Sequence, residues 1–334
     1  MDSPTSSLRI SDQSRRGFAA LARKIIGQYG LLIILFIITF AFSLLRPAFW
    51  SINNQINIVF ASSLIGIMAV CSTFVVLTRG IDISVGSTVA LSGLVAALIL
   101  ESDGTLFIPS ILAGLAASAV VGLANGLAIS YLGLPPIVVT LAALTIVRGV
   151  ALLIGGSILH LIREPAEFLF IGGGRVLGVP FPIFIFFAIA ALMLFIQVRT
   201  QLGLTVFAIG VNERAATLCG LPVRFVKLLV YLISSLGAGI AGIVLASQVS
   251  TASANYGNAL ELDVIAAIVV GGTSLNGGQG SVHRSVLGAL LIAAVNNGLS
   301  ILNVSTDQQL IAKGAIIVIA IVLGYWLQEW SERL

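Results

Sequence analysis

Charge is scarce in this chain. Asp, Glu, Lys and Arg make up 9% of its 334 residues, against 58% hydrophobic residues and a mean hydropathy of +1.11. Soluble domains carry about a quarter charged residues, and a fold of this size could not cover its surface in water with so few. Lipid is therefore the solvent for most of the chain. That excludes a soluble enzyme and a nucleic-acid binder, although the pI is 9.4. Histidine and cysteine are scarce too. His160 and His283 are far apart and outside any HExxH pattern, so neither a metal nor another cofactor is expected. Cys71 falls in an apolar run and Cys219 in a polar loop, so no disulfide is expected. No GxxxxGK[ST] phosphate loop occurs; any work driven by ATP would need a second polypeptide to hydrolyse it. Long polar stretches are missing as well. The N-terminal arm, 156–179 and 199–224 are each too short to fold alone.

What the chain has is apolar runs. A helix needs about 20 apolar residues to cross the hydrocarbon, and on that measure the spans run Gln28–Leu45, Ile56–Leu77, Ser84–Leu100, Leu106–Ile129, Pro135–Gly155, Pro180–Val198, Phe225–Ala246, Leu262–Gly272, Ser281–Leu302 and Gln309–Leu327. The third and eighth are short. The expected fold is thus an all-α polytopic membrane protein of about ten transmembrane helices, with an arm at 1–27 and a transmembrane domain at 28–334. The arm is polar and Ser-rich, with no early apolar core of the secretory kind, and is expected to be cytosolic. An even number of spans puts both termini on one side. That side carries Arg9, Arg15, Arg16, Arg23, Lys24, Arg79, Arg199, Arg214, Arg224, Lys227, Arg284 and Arg333, against Arg46, Arg163 and Arg175 on the other. The bias places both termini in the cytosol.

Three segments interrupt the apolar pattern. The first, Arg79–Ser87, reads Arg-Gly-Ile-Asp-Ile-Ser-Val-Gly-Ser and joins an apolar run to a short span. Its Gly80, Gly86, Asp82 and Ser84 suggest backbone that leaves the helix at membrane depth, tolerated where it is buried in protein or lines a wet cavity. Asp82 either faces such a cavity or caps the next helix. The second segment, Gly271–Ser281, contains Gly277, Gly278 and Gly280 and also joins a short span to a longer one. The segments 81–87 and 275–281 share an apolar residue, then Asp or Asn, then Gly-Ser at one spacing, a weak internal repeat of the sort found in transporters with two related halves. In the third, Glu213 to Leu218, with Arg214, Ala215 and Ala216, can form a short cytosolic helix capped by Asn212 and stopped by Gly220 and Pro222. Such a helix is either a handle for a partner or a plain connector. Asn125, Thr140 and Asn297 sit within apolar helices, where they bond either a neighbouring helix or a hydroxylated solute. Arg148 and Lys313 lie within apolar runs without the acidic relay that ion coupling would use.

At these segments the chain resembles the permease subunits of bacterial ABC importers of the ribose, xylose, galactose and autoinducer-2 type. The resemblance rests on Arg79–Ser87, on Gly271–Gly280, on Ala208–Asn212 followed by Ala215, Ala216 and Gly220, and on Pro135–Leu141 followed by Arg148 and Gly149. It covers nearly the whole chain from Gln28 onward. It implies import of a monosaccharide across the inner membrane by alternating access, with no bond chemistry in this subunit. The partners it implies are two ABC ATPase subunits docked on the loop around Glu213 to Gly220, a periplasmic sugar-binding protein, and a second permease copy, identical or related. Asp82, Ser84, Asn125, Thr140 and Asn297 are the candidates for the substrate path. Two departures stand out. Arg79 occupies a position where the family commonly has a small residue. Arg214 precedes Ala215 and Ala216, where other ABC importers carry the glutamate of a Glu-Ala-Ala-x-x-x-Gly coupling motif, so no contact of that glutamate carries over. Nucleosides or branched-chain amino acids as solute, and a secondary transporter working without ATP, are the rival readings. A lipid-acting enzyme is disfavoured by the lack of a His, Asp or Glu cluster at either interface.

Overall fold

A chain in lipid must satisfy its own amides, and a helix does so within one segment. The computed structural model describes residues 35–305, 307–312, 314–315 and 318, and helices dominate it. They are α1 (Leu35–Leu45), followed by a 3-10 turn at Pro47–Trp50, then α2 (Ile52–Leu77), α3 (Val85–Ser102), α4 (Phe107–Ser130), α5 (Pro136–Gly155), α6 (Ala166–Gly173), α7 (Phe181–Arg199), α8 (Gln201–Val211), α9 (Glu213–Leu218), α10 (Val223–Val249), α11 (Leu260–Val270) and α12 (Val282–Ile301). Four two-residue strands form two small antiparallel pairs. β1 (His160–Leu161) pairs with β4 (Thr251–Ala252), and β2 (Arg175–Val176) with β3 (Val179–Pro180). Among the described residues, seven helices are long and apolar enough to cross a bilayer: α2, α3, α4, α5, α7, α10 and α12. The all-α polytopic architecture read from the sequence is therefore present.

The helix starts follow local chemistry. The Ser51 hydroxyl accepts the Asn54 amide at 3.3 Å and caps α2. Proline opens α5 and α7, where its missing N–H is not needed. In the middle of the molecule, α10 packs against α4, α3 and α2, and α12 packs against α2. In lipid no hydrophobic force draws helices together, so close approach and polar contacts must do it. Gly242 of α10 lies so near α3 that a Cβ there would sit 2.3 Å from the Val89 carbonyl. Hydroxyl pairs tie α2 to its neighbours, Ser72 to Ser234 of α10 at 2.9 Å and Thr73 to Ser285 of α12 at 2.7 Å. Burial is graded accordingly: 78% of the most apolar stretch of α2 is inside the protein but only 17% of that of α5, which leaves α5 at the periphery.

The structure refines the expected spans. The expected eighth, Leu262–Gly272, is α11, an 11-residue helix that rises about 16 Å, roughly half the hydrocarbon thickness. It is too short to cross alone. Two helices lie inside segments read as polar connections, α6 within 156–179 and α8 within 199–224. Phe168 of α6 is fully buried, and α6 packs on α10. The expected arm at 1–27, the start of the first span before Leu35 and most of Gln309–Leu327 lie outside the described residues.

Candidate functional site

The Arg79–Ser87 segment turns the chain from α2 into α3. The Arg79 amide bonds the Val76 carbonyl at 3.0 Å and the Gly80 amide the Val75 carbonyl at 2.9 Å. Arg79 takes a left-handed conformation, φ 64°. This is the usual glycine-terminated helix ending, here with arginine at the glycine position. Asp82 follows and is buried. Its Oδ1 accepts the Ser84 amide at 3.0 Å and the Ser84 hydroxyl at 2.6 Å, and its Oδ2 accepts the Ser234 hydroxyl at 2.8 Å. With the Ser234 proton committed to Asp82, Ser72 is the donor in the Ser72–Ser234 pair. Asn125 of α4 donates its amide to Ser84 Oγ at 2.9 Å, and the Thr140 hydroxyl of α5 shares its one proton between the Pro136 carbonyl of its own helix at 3.0 Å and the Ile81 carbonyl at 3.1 Å. Four of the five path candidates, Asp82, Ser84, Asn125 and Thr140, thus converge on one buried turn. Gly80 lies against the Tyr231 hydroxyl, and Gly86 against the Gly257 carbonyl and the Glu261 carboxylate, so the approach to α11 rests on the first turn of α3.

Asn297 stands apart. It exchanges two amide hydrogen bonds with Asn54, at 2.9 and 3.0 Å. Asn54 is in the first turn of α2 and Asp82 lies beyond the other end of that 26-residue helix, which is about 39 Å long. His160 of β1 lies against α3 and α5. Its Nε2 donates to the Gly155 carbonyl at 2.8 Å and its Nδ1 faces the Glu101 carboxylate at 2.7 Å. The bond to Gly155, then that to Glu101, raises the imidazole above the ordinary histidine range against the opposing cost of desolvation. Arg148 donates to the carbonyls of Ala254 and Tyr256 and also interacts with the charge of Glu261, an acidic neighbour that the sequence did not reveal.

The second glycine-rich turn meets the first. Gly277 and Gly278 are left-handed, φ 75° and 70°, and Gly280 has φ 151°. The Gly278 amide donates to the Leu77 carbonyl at 3.0 Å, and Gly277 packs on the Arg79 side chain. Asn276, the counterpart of Asp82 in the sequence comparison, is exposed where Asp82 is buried. Gln197 at the end of α7 caps α12, its Oε1 accepting the Val282 amide at 3.0 Å.

The third segment joins the same place. Gly210 of α8 touches backbone on both sides: a Cβ there would lie 2.0 Å from the Leu77 carbonyl oxygen and 2.3 Å from the Gly278 nitrogen. Arg79 donates from Nε to the Gly210 carbonyl and from Nη2 to the Val211 carbonyl, each at 2.8 Å. Asn212 then caps α9, its Oδ1 accepting the Ala215 amide at 3.0 Å. Helix α9 spans Glu213–Leu218, as its sequence pattern predicts, and Gly220 follows with φ 79°. Glu213 pairs with Lys227 at 3.0 and 3.1 Å. Arg214, Ala215, Leu218, Cys219 and Gly220 are exposed, while Ala216 is buried and seats the helix.

A buried polar turn and a glycine-rich turn packed against it thus meet the end of α8, from which the exposed, capped α9 leads off. The model for branched-chain amino acid transport system / permease components matches residues 54–321. The chain belongs to this family. It is a transport permease component of the inner membrane and not an enzyme. The chain is 38% identical to the ribose import permease of Escherichia coli K12, over 87% of this chain and 92% of that one. It is 36% identical to a probable ABC transporter permease of the same strain, over 92% of each chain. With the L-arabinose ABC transporter permease of Azospirillum brasilense the identity is 33%, over 91% of this chain and 89% of that one. No solved structure matches the chain.

Sequence reading of this permease missed the partners rather than the centres. Ser234 is one of several hydroxyls in apolar helices, and nothing local marks it as the donor to Asp82. Asn54 sits outside the span as read, so its pairing with Asn297 had no signal. Arg79 stood out as a charge in a small-residue position, but its acceptors lie 131 and 132 residues away.

Proposed function

We propose that this permease is the membrane subunit of a binding-protein-dependent ABC importer that moves a pentose- or hexose-type monosaccharide into the cell by alternating access. Two cytosolic ATPases energise it through α9, a periplasmic binding protein delivers the sugar, and a second permease copy completes the path. The observation that carries the reading is α9. It is short, capped and exposed, and the end of α8 directly before it is hydrogen-bonded through Gly210 and Val211 to Arg79 of the first turn and packs against Gly278 of the second, in a chain whose relatives include ribose and L-arabinose permeases. About ten crossings with both termini cytosolic fit the Lys and Arg distribution. In this reading the Asp82, Ser84, Asn125 and Thr140 cluster braces the inner end of the path, and Asn297 lies toward its outer end. The family description names branched-chain amino acids, and competition by leucine against ribose uptake in proteoliposomes separates the two solutes.

The test is co-purification with the neighbouring ATPase. The ATPase is expected to come down with the wild type and to be lost with Gly220→Trp, which places a large ring on the exposed end of α9. A chain that purifies alone and moves solute without ATP would sink the importer reading.

A further inference from the structure

Arg79 joins three segments that lie far apart in sequence. Its backbone ends α2, three residues before Asp82. Its guanidinium reaches two successive carbonyls at the end of α8, Gly210 and Val211, directly before the Asn212 cap of α9. Gly277 of the second glycine-rich turn packs on its side chain, and the Gly278 amide bonds Leu77 two residues earlier. The last carbonyls of a helix carry partial negative charge and lack intrahelical partners. A planar guanidinium can bridge two of them at fixed spacing, which a flexible ammonium does less well. The backbone at Arg79 is left-handed, where glycine is the unstrained choice. An arginine there is disfavoured locally, and its compensation is the two-point bond to α8.

Resting on the importer reading above, we propose that Arg79 is a positioning residue that couples α9 to the Asp82 turn. When a docked ATPase displaces α9, the bonded unit of Arg79, Gly210 and Val211 carries the displacement into the end of α2 and the buried turn behind it. Without the guanidinium the α8 end slides on the turn, and ATP is hydrolysed with less sugar moved.

The test uses the full assembly of permease, ATPase and binding protein in proteoliposomes, with ribose as the probe and ribose imported per ATP hydrolysed as the readout. Arg79→Gly and Arg79→Asn both tolerate the left-handed backbone and remove the bridge. In each, ATP hydrolysis is expected to persist while the ratio falls by about tenfold, a usual size for coupling between sites. Arg79→Lys, which keeps a donor, is expected to recover part of it. A wild-type ratio in Arg79→Gly or Arg79→Asn overturns the proposal. A wild type that neither binds the ATPase nor needs ATP overturns the importer reading instead. If the variants do not assemble, or the wild type takes up no ribose, a spin label on the exposed Cys219 of the isolated chain decides. The label is expected to move more freely in Arg79→Asn, and unchanged mobility overturns the proposal.

Discussion

Asp82 shows how a carboxylate survives inside a membrane protein. Its three hydrogen bonds come from Ser84 and Ser234, and a buried acceptor that loses one partner bears the cost of desolvation unrelieved. Ser234→Ala is therefore expected to destabilise the protein by about 1–3 kcal/mol, read as a lower melting temperature in detergent; an unchanged value would mean that the bond contributes nothing. The Asn54–Asn297 pair makes a second test at this scale. Two reciprocal amide bonds between membrane helices should give a coupling energy of about 0.5–1.5 kcal/mol in a double-alanine cycle. Additive single-mutant effects would show that the two side chains do not act together.

Among elements, the contact of α8 with the two turns is made backbone to backbone at Gly210. Gly210→Val cannot enter that space without moving Leu77 or Gly278, neither of which is a flexible side-chain end. The variant is expected to separate α8 from α2, lowering stability together with ATP-driven uptake; wild-type uptake would place the contact outside the mechanism. Helix α9 offers a native reporter, since Cys219 is exposed and Cys71 buried. A maleimide should modify Cys219 alone, and bound ATPase should slow the reaction. Equal rates with and without ATPase would move the docking surface elsewhere. His160 links β1 to α3 through Glu101 and to α5 through Gly155. Its folded pKa is raised, so its stabilising contribution is complete below the ordinary histidine value of about 6.5 and is lost as pH rises through the folded value. Melting temperature should fall more from about pH 6 to pH 8.5 in the wild type than in His160→Gln; parallel curves would remove His160 from the account.

For the whole molecule, the cytosolic-termini reading puts α9 and the β1 to β3 region on opposite sides of the membrane. Leu177 in that region is 98% exposed. A cysteine placed by Leu177→Cys is expected to react with an impermeant maleimide in spheroplasts, while Cys219 reacts only after permeabilisation. The reverse pattern would invert the orientation drawn from Lys and Arg.

Composition and the length of the apolar runs were enough to define an all-α membrane protein, because a chain in lipid has few ways to satisfy its amides. The α9 helix was equally legible, since its cap at Asn212 and stop at Gly220 are local. The half-length of α11 was visible as a shortage of apolar residues. The helices α6 and α8 were not legible, because short apolar segments in connecting regions gain their stability from what they pack against. The tertiary structure alone decided that Asp82, Ser84, Asn125 and Thr140 share one buried turn while Asn297 does not. It also decided that Arg79 reaches across to α8. Hydrogen bonds between distant segments depend on how helices pack, and glycine, serine and alanine let membrane helices approach at many registers, so the sequence does not single out one.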